Sequence, residues 1–236
     1  GPDCTGRMYN HGITTVALLE YLPRRDDAKL REAIGRAIGF IRGQQHSSGG
    51  WGYEKKPTSQ ANTSISVWQM EALYLAHKAG WTEAGANLDR GLAWLKSMVD
   101  EQGAFGYQKP RDSTSDSDTL TAMGAYCLFT AGPATAGDGH AKVRAALRGL
   151  KTSPVKEQDF YRSYFLALAL NAGKTDEYSA RLADLQGLLM RDRARGAGQA
   201  GSWEPVGRWS NVGGRLYTTT MATLSLEEGA PRGHAM

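Results

Sequence analysis

Two kinds of apolar pattern alternate along the chain. In the first, apolar residues recur at helical spacing on one face. Within residues 29–45, Leu30, Ile34, Ile38 and Ile41 fall together, while Lys29, Arg31, Glu32, Arg36 and Arg42 lie elsewhere. Residues 86–99 and 178–193 repeat that pattern. In the second kind, the segment is apolar nearly all round. Residues 8–22 hold one formal charge, Glu20, and residues 119–131 hold none. Residues 63–79, 160–172 and 217–226 are nearly as bare. A helix without a polar face has to be covered on most sides. Sustained period-2 alternation is absent, so no strands are predicted. The pattern predicts an all-α fold of about nine helices, with bare inner helices wrapped by charged outer ones.

The outer segments carry a repeat. RAIGFIRGQQHSSGGWGY (36–53) aligns without gaps on RGLAWLKSMVDEQGAFGY (90–107) at an offset of about 54 residues. Arg36 matches Arg90, Phe40 matches Trp94, Gly49 matches Gly103, Trp51 matches Phe105 and Tyr53 matches Tyr107. Both copies run into a polar loop, and a degenerate third copy lies around Gly201-Ser202-Trp203. The pairs Ala79-Gly80, Ala131-Gly132 and Ala172-Gly173 each close an apolar helix, where glycine supplies a left-handed stop. Asn62-Thr63 and Asp118-Thr119 stand where a polar loop becomes an apolar helix and read as N-caps. Gly35, Gly39 and Gly43 lie four apart on one outer helix and cost roughly 1 kcal/mol each against alanine. They are expected to form a smooth groove for a neighbouring helix.

The sequence Arg-x-x-x-aromatic-aliphatic, polar residues, then Gly-x-aromatic resembles the QW repeat of the squalene cyclase and prenyltransferase superfamily. Uncharacterised bacterial proteins with prenyltransferase or squalene-oxidase repeats carry segments similar to MYNHGITTVALLE (8–20), GGWGY (49–53), TSISVWQMEAL (63–73) and GSWEPVGRWSNVGGRLYTTTMATLSLE (201–227). The likeness runs through essentially the whole chain. It implies an α/α toroid, or part of one, with alternating inner and outer helices of the terpenoid cyclase and prenyltransferase type. Thioester domains of complement and macroglobulin proteins share that architecture. Such domains are often joined to membrane or regulatory segments, which points to an extracytoplasmic domain of a longer membrane-anchored bacterial protein.

Composition narrows the partners. The 236 residues suit one repeat domain spanning 1–236, and Gly1-Pro2 reads as a protease scar on a domain excised from something longer. The net charge is +4, but Lys and Arg are mixed with acids and form no run, so nucleic acid is not an expected partner. No apolar stretch reaches the roughly 20 residues of a membrane span, and no signal peptide is visible. Cys4 and Cys127 fit no metal-ligand spacing, and whether they pair stays open. The histidines are scattered singly, so neither a metal nor a cofactor is expected.

The catalytic sets of the resembled families are incomplete. Class II cyclases protonate an alkene with the middle acid of Asp-x-Asp-Asp-Thr. Here Ser115-Asp116-Ser117-Asp118-Thr119 puts Ser117 at the proton-donating position when aligned on Asp118. A shifted register leaves Asp116 and Asp118 as the acid pair of a cyclase-like or polysaccharide-lyase-like alternative. The zinc set of protein prenyltransferases is missing. Cys4-Thr5-Gly6-Arg7 lacks the acceptor glutamine of a thioester, and no Gly-x-Ser-x-Gly nucleophile occurs.

In a toroid the inner helices run parallel, so their N-termini crowd one mouth and gather free amides and positive dipole ends there. The expected ligand-site residues are therefore Tyr9, Asn10, His11, Asn62, Asp116, Asp118, Tyr161, Arg162, Arg215 and Tyr217, with Arg208 and Trp209 from the glycine-rich loop before the last inner helix. Trp51, Tyr53, Phe105, Tyr107 and Trp203 on the preceding loops read as staples between repeats or as stacking platforms. The leading reading is a non-enzymatic binding or scaffold module for a peptide, a glycan, an apolar chain or a protein partner.

Overall fold

The computed structural model describes residues 7–53, 60–112, 117–130, 139–151 and 159–230. Cys4, Asp116, Gly132 and His234 lie outside these residues. Within them the chain forms nine α-helices: α1 (Arg7–Tyr21), α2 (Ala28–Gly43), α3 (Thr63–Lys78), α4 (Gly85–Lys96), α5 (Ser117–Thr130), α6 (Gly139–Gly149), α7 (Phe160–Gly173), α8 (Asp176–Arg191) and α9 (Ser210–Glu227). No strand occurs among the described residues beyond an isolated antiparallel bridge between Val99 and Phe105. Helix α6 is the one the apolar pattern did not single out. Its eleven residues bury a stripe as narrow as Val143 and Leu147.

The helices sort into two sets. Odd-numbered helices pack in chain order, α1 on α3, α3 on α5, α5 on α7 and α7 on α9. Even-numbered helices lie against the odd ones beside them, α2 on α1 and α3, α4 on α3 and α5, α6 on α5, and α8 on α7 and α9. The bare pattern accounts for the middle of the odd row: residues 63–73 of α3 are all buried, and in α5 only Ser117 is exposed. It fails at the ends. Ile13 and Tyr21 of α1 are exposed; α9 begins at Ser210, ahead of the bare segment 217–226, and its exposed Val212 and Leu216 lie in that earlier stretch. Each of these helices has a single partner in the row, so one flank stays open although its sequence is equally apolar.

The repeated aromatics join the sets. Trp51 is fully buried; its backbone amide donates to Ser66 Oγ in α3 at 2.9 Å, and its indole donates to the Ile41 carbonyl of α2 at 2.8 Å. Trp203 repeats the arrangement, with its amide on Thr219 Oγ1 of α9 at 3.3 Å and its indole on the Leu189 carbonyl of α8 at 2.8 Å. Phe105 donates its amide to Thr121 Oγ1 of α5 at 3.2 Å. Trp51, Phe105 and Trp203 are thus staples, and the third repeat copy is real. Small residues make room for the rings: a side chain at Gly91 would crowd Trp51, and one at Gly124 would crowd Phe105.

The glycines divide by role. Gly49 (φ +104°) and Gly103 (φ +87°) are repeat-equivalent left-handed residues, each pressed against the next outer helix, at the carbonyls of Arg90 and Lys142. Gly80 is a left-handed stop as expected, with φ +105°. At the end of α7 the left-handed residue is Lys174 (φ 49°), not Gly173, which instead lies under the Tyr178 ring. The groove expected of Gly35, Gly39 and Gly43 is not used by a helix: a methyl at Gly39 or Gly43 would meet nothing within 4 Å.

Two stability changes follow. Gly39→Ala should raise the unfolding free energy by about 0.5–1 kcal/mol, because the helix gains propensity and loses no space. Trp203→Ala should lower it by about 3–5 kcal/mol through the cavity and the stranded Leu189 carbonyl. Urea unfolding followed by circular dichroism measures both.

Candidate functional site

The starts of the odd-numbered helices meet through hydroxyl groups. Tyr9 of α1 donates to Ser64 Oγ of α3 at 2.6 Å, and Ser64 donates to Asn62 Oδ1 at 3.0 Å. Asn62 caps α3 as expected, since the same oxygen accepts from the Ile65 amide at 3.0 Å. Its Nδ2 is buried and has no partner. Tyr53 and Tyr107, equivalent residues of successive repeats, touch through their hydroxyls at 2.8 Å, and the Tyr9 ring packs edge-on against Tyr53. Burial pushes the Tyr9 phenol well above its ordinary pKa, with the Tyr53 and Tyr107 phenols adding to the rise. Tyr9 therefore acts as a neutral hydrogen-bonding hydroxyl.

Below this rim the middle is filled by rings. Trp68 of α3 donates its indole N–H to Tyr161 Oη of α7 at 2.7 Å, stacks near Tyr164 and meets Phe165 edge-on. Tyr161 also stands within electrostatic reach of Tyr9 and Tyr217. The structure thus brings Tyr9, Asn62, Tyr161 and Tyr217 together and adds Ser64, Trp68, Tyr53 and Tyr107.

The other expected residues point elsewhere. His11 Nε2 bonds the Ala37 carbonyl of α2 at 3.0 Å and its ring packs on Phe40, a structural placement between α1 and α2. Asn10 is exposed. Arg215 is held by its own loop, on Ser202 Oγ at 3.0 Å and Glu204 Oε2 at 2.6 Å. Arg208 lies over the Trp209 ring at 5.0 Å. Asp118 is not the cap of α5: the helix begins at Ser117, one residue earlier. Its carboxylate sits in the first turn, where the helix dipole favours it. It pairs with Arg162 of α7 at 3.4 Å, with 49% of its side chain exposed.

A cleft of about 970 Å³ opens beside the rim. Its lining includes Gln45, His46, Ser48, Gln60, Arg90, Gln108, Lys109 and Asp112. They come from the loops entering α3 and α5 and from α4. Gln45 is fully buried behind this lining. The amide nitrogen donates to the carbonyls of Gly49 and Asn87 at 2.7 and 2.8 Å, while the oxygen accepts from Asn87 Nδ2 at 2.7 Å and from Arg90. All four bonds a glutamine amide can make are present, and they tie the end of α2 to α4. No motif signals this cleft in the sequence, because its residues are ordinary loop polars.

Glu71 was also missed. It is the lone acid among the buried residues of α3, and that isolation is the signal that could have marked it. Tyr126 Oη of α5 donates to its Oε1 at 3.0 Å, and its Oε2 has no partner. A small void lined by Glu71, Tyr126 and Cys127 adjoins it. Burial pushes its pKa up to about 8, partly offset by the Tyr126 bond and reinforced by Glu20 and Glu228. Burial likewise raises the pKa of the Cys127 thiol, which is free.

No protein-family profile matches the chain. A stretch of 76 residues is 30% identical to part of an alpha-2-macroglobulin of Thermotoga maritima, covering 32% of this chain and 5% of that protein. Among the described residues no group of three or more acids, histidines or cysteines is placed to hold a metal, and no helix is long and apolar enough to cross a membrane.

Glu71 sets a pH dependence. Its folded pKa lies above the ordinary glutamate value, so between about pH 4.5 and about 8 the native state holds a proton that the unfolded state has released. The stability it contributes is full below that window and is lost as pH rises through it, on the order of 1 kcal/mol per unit. Glu71→Gln should remove this fall and be the more stable form at pH 8. Urea titrations of both proteins across the window measure the difference, and parallel profiles would contradict the assignment.

Proposed function

We propose that the chain is a non-enzymatic binding module of the α/α-toroid type, whole or partial, related to the squalene cyclase and prenyltransferase repeat proteins. It holds a polar chain, a peptide or a glycan, in the cleft at the starts of its inner helices. The observation that carries this reading is the cleft of about 970 Å³ rimmed by amides, hydroxyls and charges. That size lies at the upper end of the range for ligand sites. The packing order of the helices and the identity with a macroglobulin segment support the toroid kinship.

The lining favours a hydrogen-bonding ligand. Covering such groups with an apolar chain would cost about 1–3 kcal/mol for each donor or acceptor left unpaired. The hollow that an isoprenoid would need is instead occupied by Trp68, Tyr161, Tyr164 and Phe165. A binding role is also favoured over catalysis by the surroundings of Asp118. A proton-donating acid works from a dry pocket, whereas Asp118 is half exposed and paired with Arg162.

Thermal unfolding against a panel of short oligosaccharides and unstructured peptides tests this. A bound probe at a hundredfold excess over its Kd adds about 2.7 kcal/mol to stability. Gln60→Ala combined with Lys109→Glu should weaken that probe by about tenfold or more. Stabilisation by a farnesyl-type chain but by no polar probe would overturn the reading, as would turnover of any substrate abolished by Asp118→Asn.

A further inference from the structure

The cleft beside the rim carries a charge that the protein does not balance. Arg90 and Lys109 border it, and among the described residues neither is paired with an acid. The next cation along the loop shows the contrast: Arg111 is matched by Glu101 at 2.8 Å. Asp112 is the one acid among the described lining residues. Its carboxylate takes the Gln108 amide at 3.2 Å and so serves the turn that carries Lys109. Arg90 is anchored: one of its N–H groups goes to Gln45 Oε1, and Gln45 is itself fixed by Asn87. A guanidinium carries five N–H donors in a planar fork, so an anchored arginine keeps donors in hand for a carboxylate. Gln60 and Gln108 add two exposed side-chain amides to the same cleft.

We propose that the occupant of this cleft is an acidic peptide segment: Arg90 and Lys109 hold its carboxylates, and the amides of Gln60 and Gln108 bond its backbone. The proposal rests on the cleft being the binding site. Charge selects the anion. Cations without a matching acid on the walls of a concave site attract carboxylates, and low-dielectric walls focus that field. The amides select a peptide. A glutamine side chain offers both a donor and an acceptor, as each residue of an extended backbone does. A sugar ring, by contrast, is held by laying its C–H face on a bare aromatic ring. Trp94 is the aromatic among the described lining residues, and it is closed off. It is 7% exposed, and Gly50 packs so close to its ring that a side chain there would collide with it.

Fluorescence anisotropy with a labelled octapeptide of alternating Glu and Ser, against the same peptide with Gln for Glu, tests the proposal. The Glu peptide should bind about tenfold more tightly at about 0.1 M salt. That advantage should shrink at about 1 M, where the screening length falls to about 3 Å. Lys109→Gln should weaken the Glu peptide by about threefold and leave the Gln peptide unchanged, and Arg90→Gln should do the same. Lys109 is exposed, so its variant keeps the fold, which circular dichroism checks. Equal affinity for the two peptides overturns the proposal and leaves the cleft a binding site. Binding of the Glu peptide that is indifferent to both variants overturns it as well. Tighter binding of an oligogalacturonate than of the Glu peptide overturns the choice of a peptide. Binding of neither peptide nor of the oligosaccharide removes the binding reading together with the proposal.

Discussion

A backbone amide carried into a protein interior by a loop has to find an acceptor or cost about 1–3 kcal/mol, and in this chain that demand recurs at the same place in each repeat. Where the loop follows an outer helix and passes beneath the next inner one, an aromatic residue is buried and its amide is taken by a Ser or Thr hydroxyl of that inner helix, 15 or 16 residues further on, at Ser66, Thr121 or Thr219. In two of the three copies the indole N–H then reaches back to the outer helix. One side chain therefore fixes the distance between layers and the entry of the next helix. Left-handed Gly49 and Gly103 deliver the loop to that point without a side chain in the way of the neighbouring carbonyl.

That constraint explains where polar chemistry ended up. The odd-numbered helices close on one another through Trp68, Tyr161, Tyr164 and Phe165, so the apolar middle is occupied by the protein's own rings. Hydroxyls, amides and charges collect at the helix starts and on the incoming loops. Glu71 is the exception, an acid sealed between α3 and α5 that avoids the cost of burial by keeping its proton.

The fold was legible where pattern reports burial directly. The bare segments of α3, α5 and α7, the Asn62 cap, the Gly80 stop and the three loop aromatics all follow from residue type and spacing. The apolar pattern gives no position in the row, which is why α1 and α9 looked as enclosed as α5 yet keep a bare flank. Nor could it tell that Gly39 and Gly43 of α2 face empty space, since a groove and an unused surface have the same composition. Of the expected site, Tyr9, Asn62 and Tyr161 converge because they start helices that touch. His11 turns to the Ala37 carbonyl and Arg215 to its own loop, partners set by tertiary contacts that spacing does not encode. The cleft escaped notice because its walls come from two loops and α4, brought together only by the stacking of repeats.

Gln45 joins these themes. Its amide makes three of its four bonds to Asn87 and Arg90 of α4 and the fourth to Gly49 of its own loop, and it is also among the residues around the cleft. Gln45 is fully buried, so this seam lies behind the cleft lining and not on its open face. The cleft therefore has a stiff backing: the lean of one repeat on the next is held by amide bonds that are already complete and sealed from solvent.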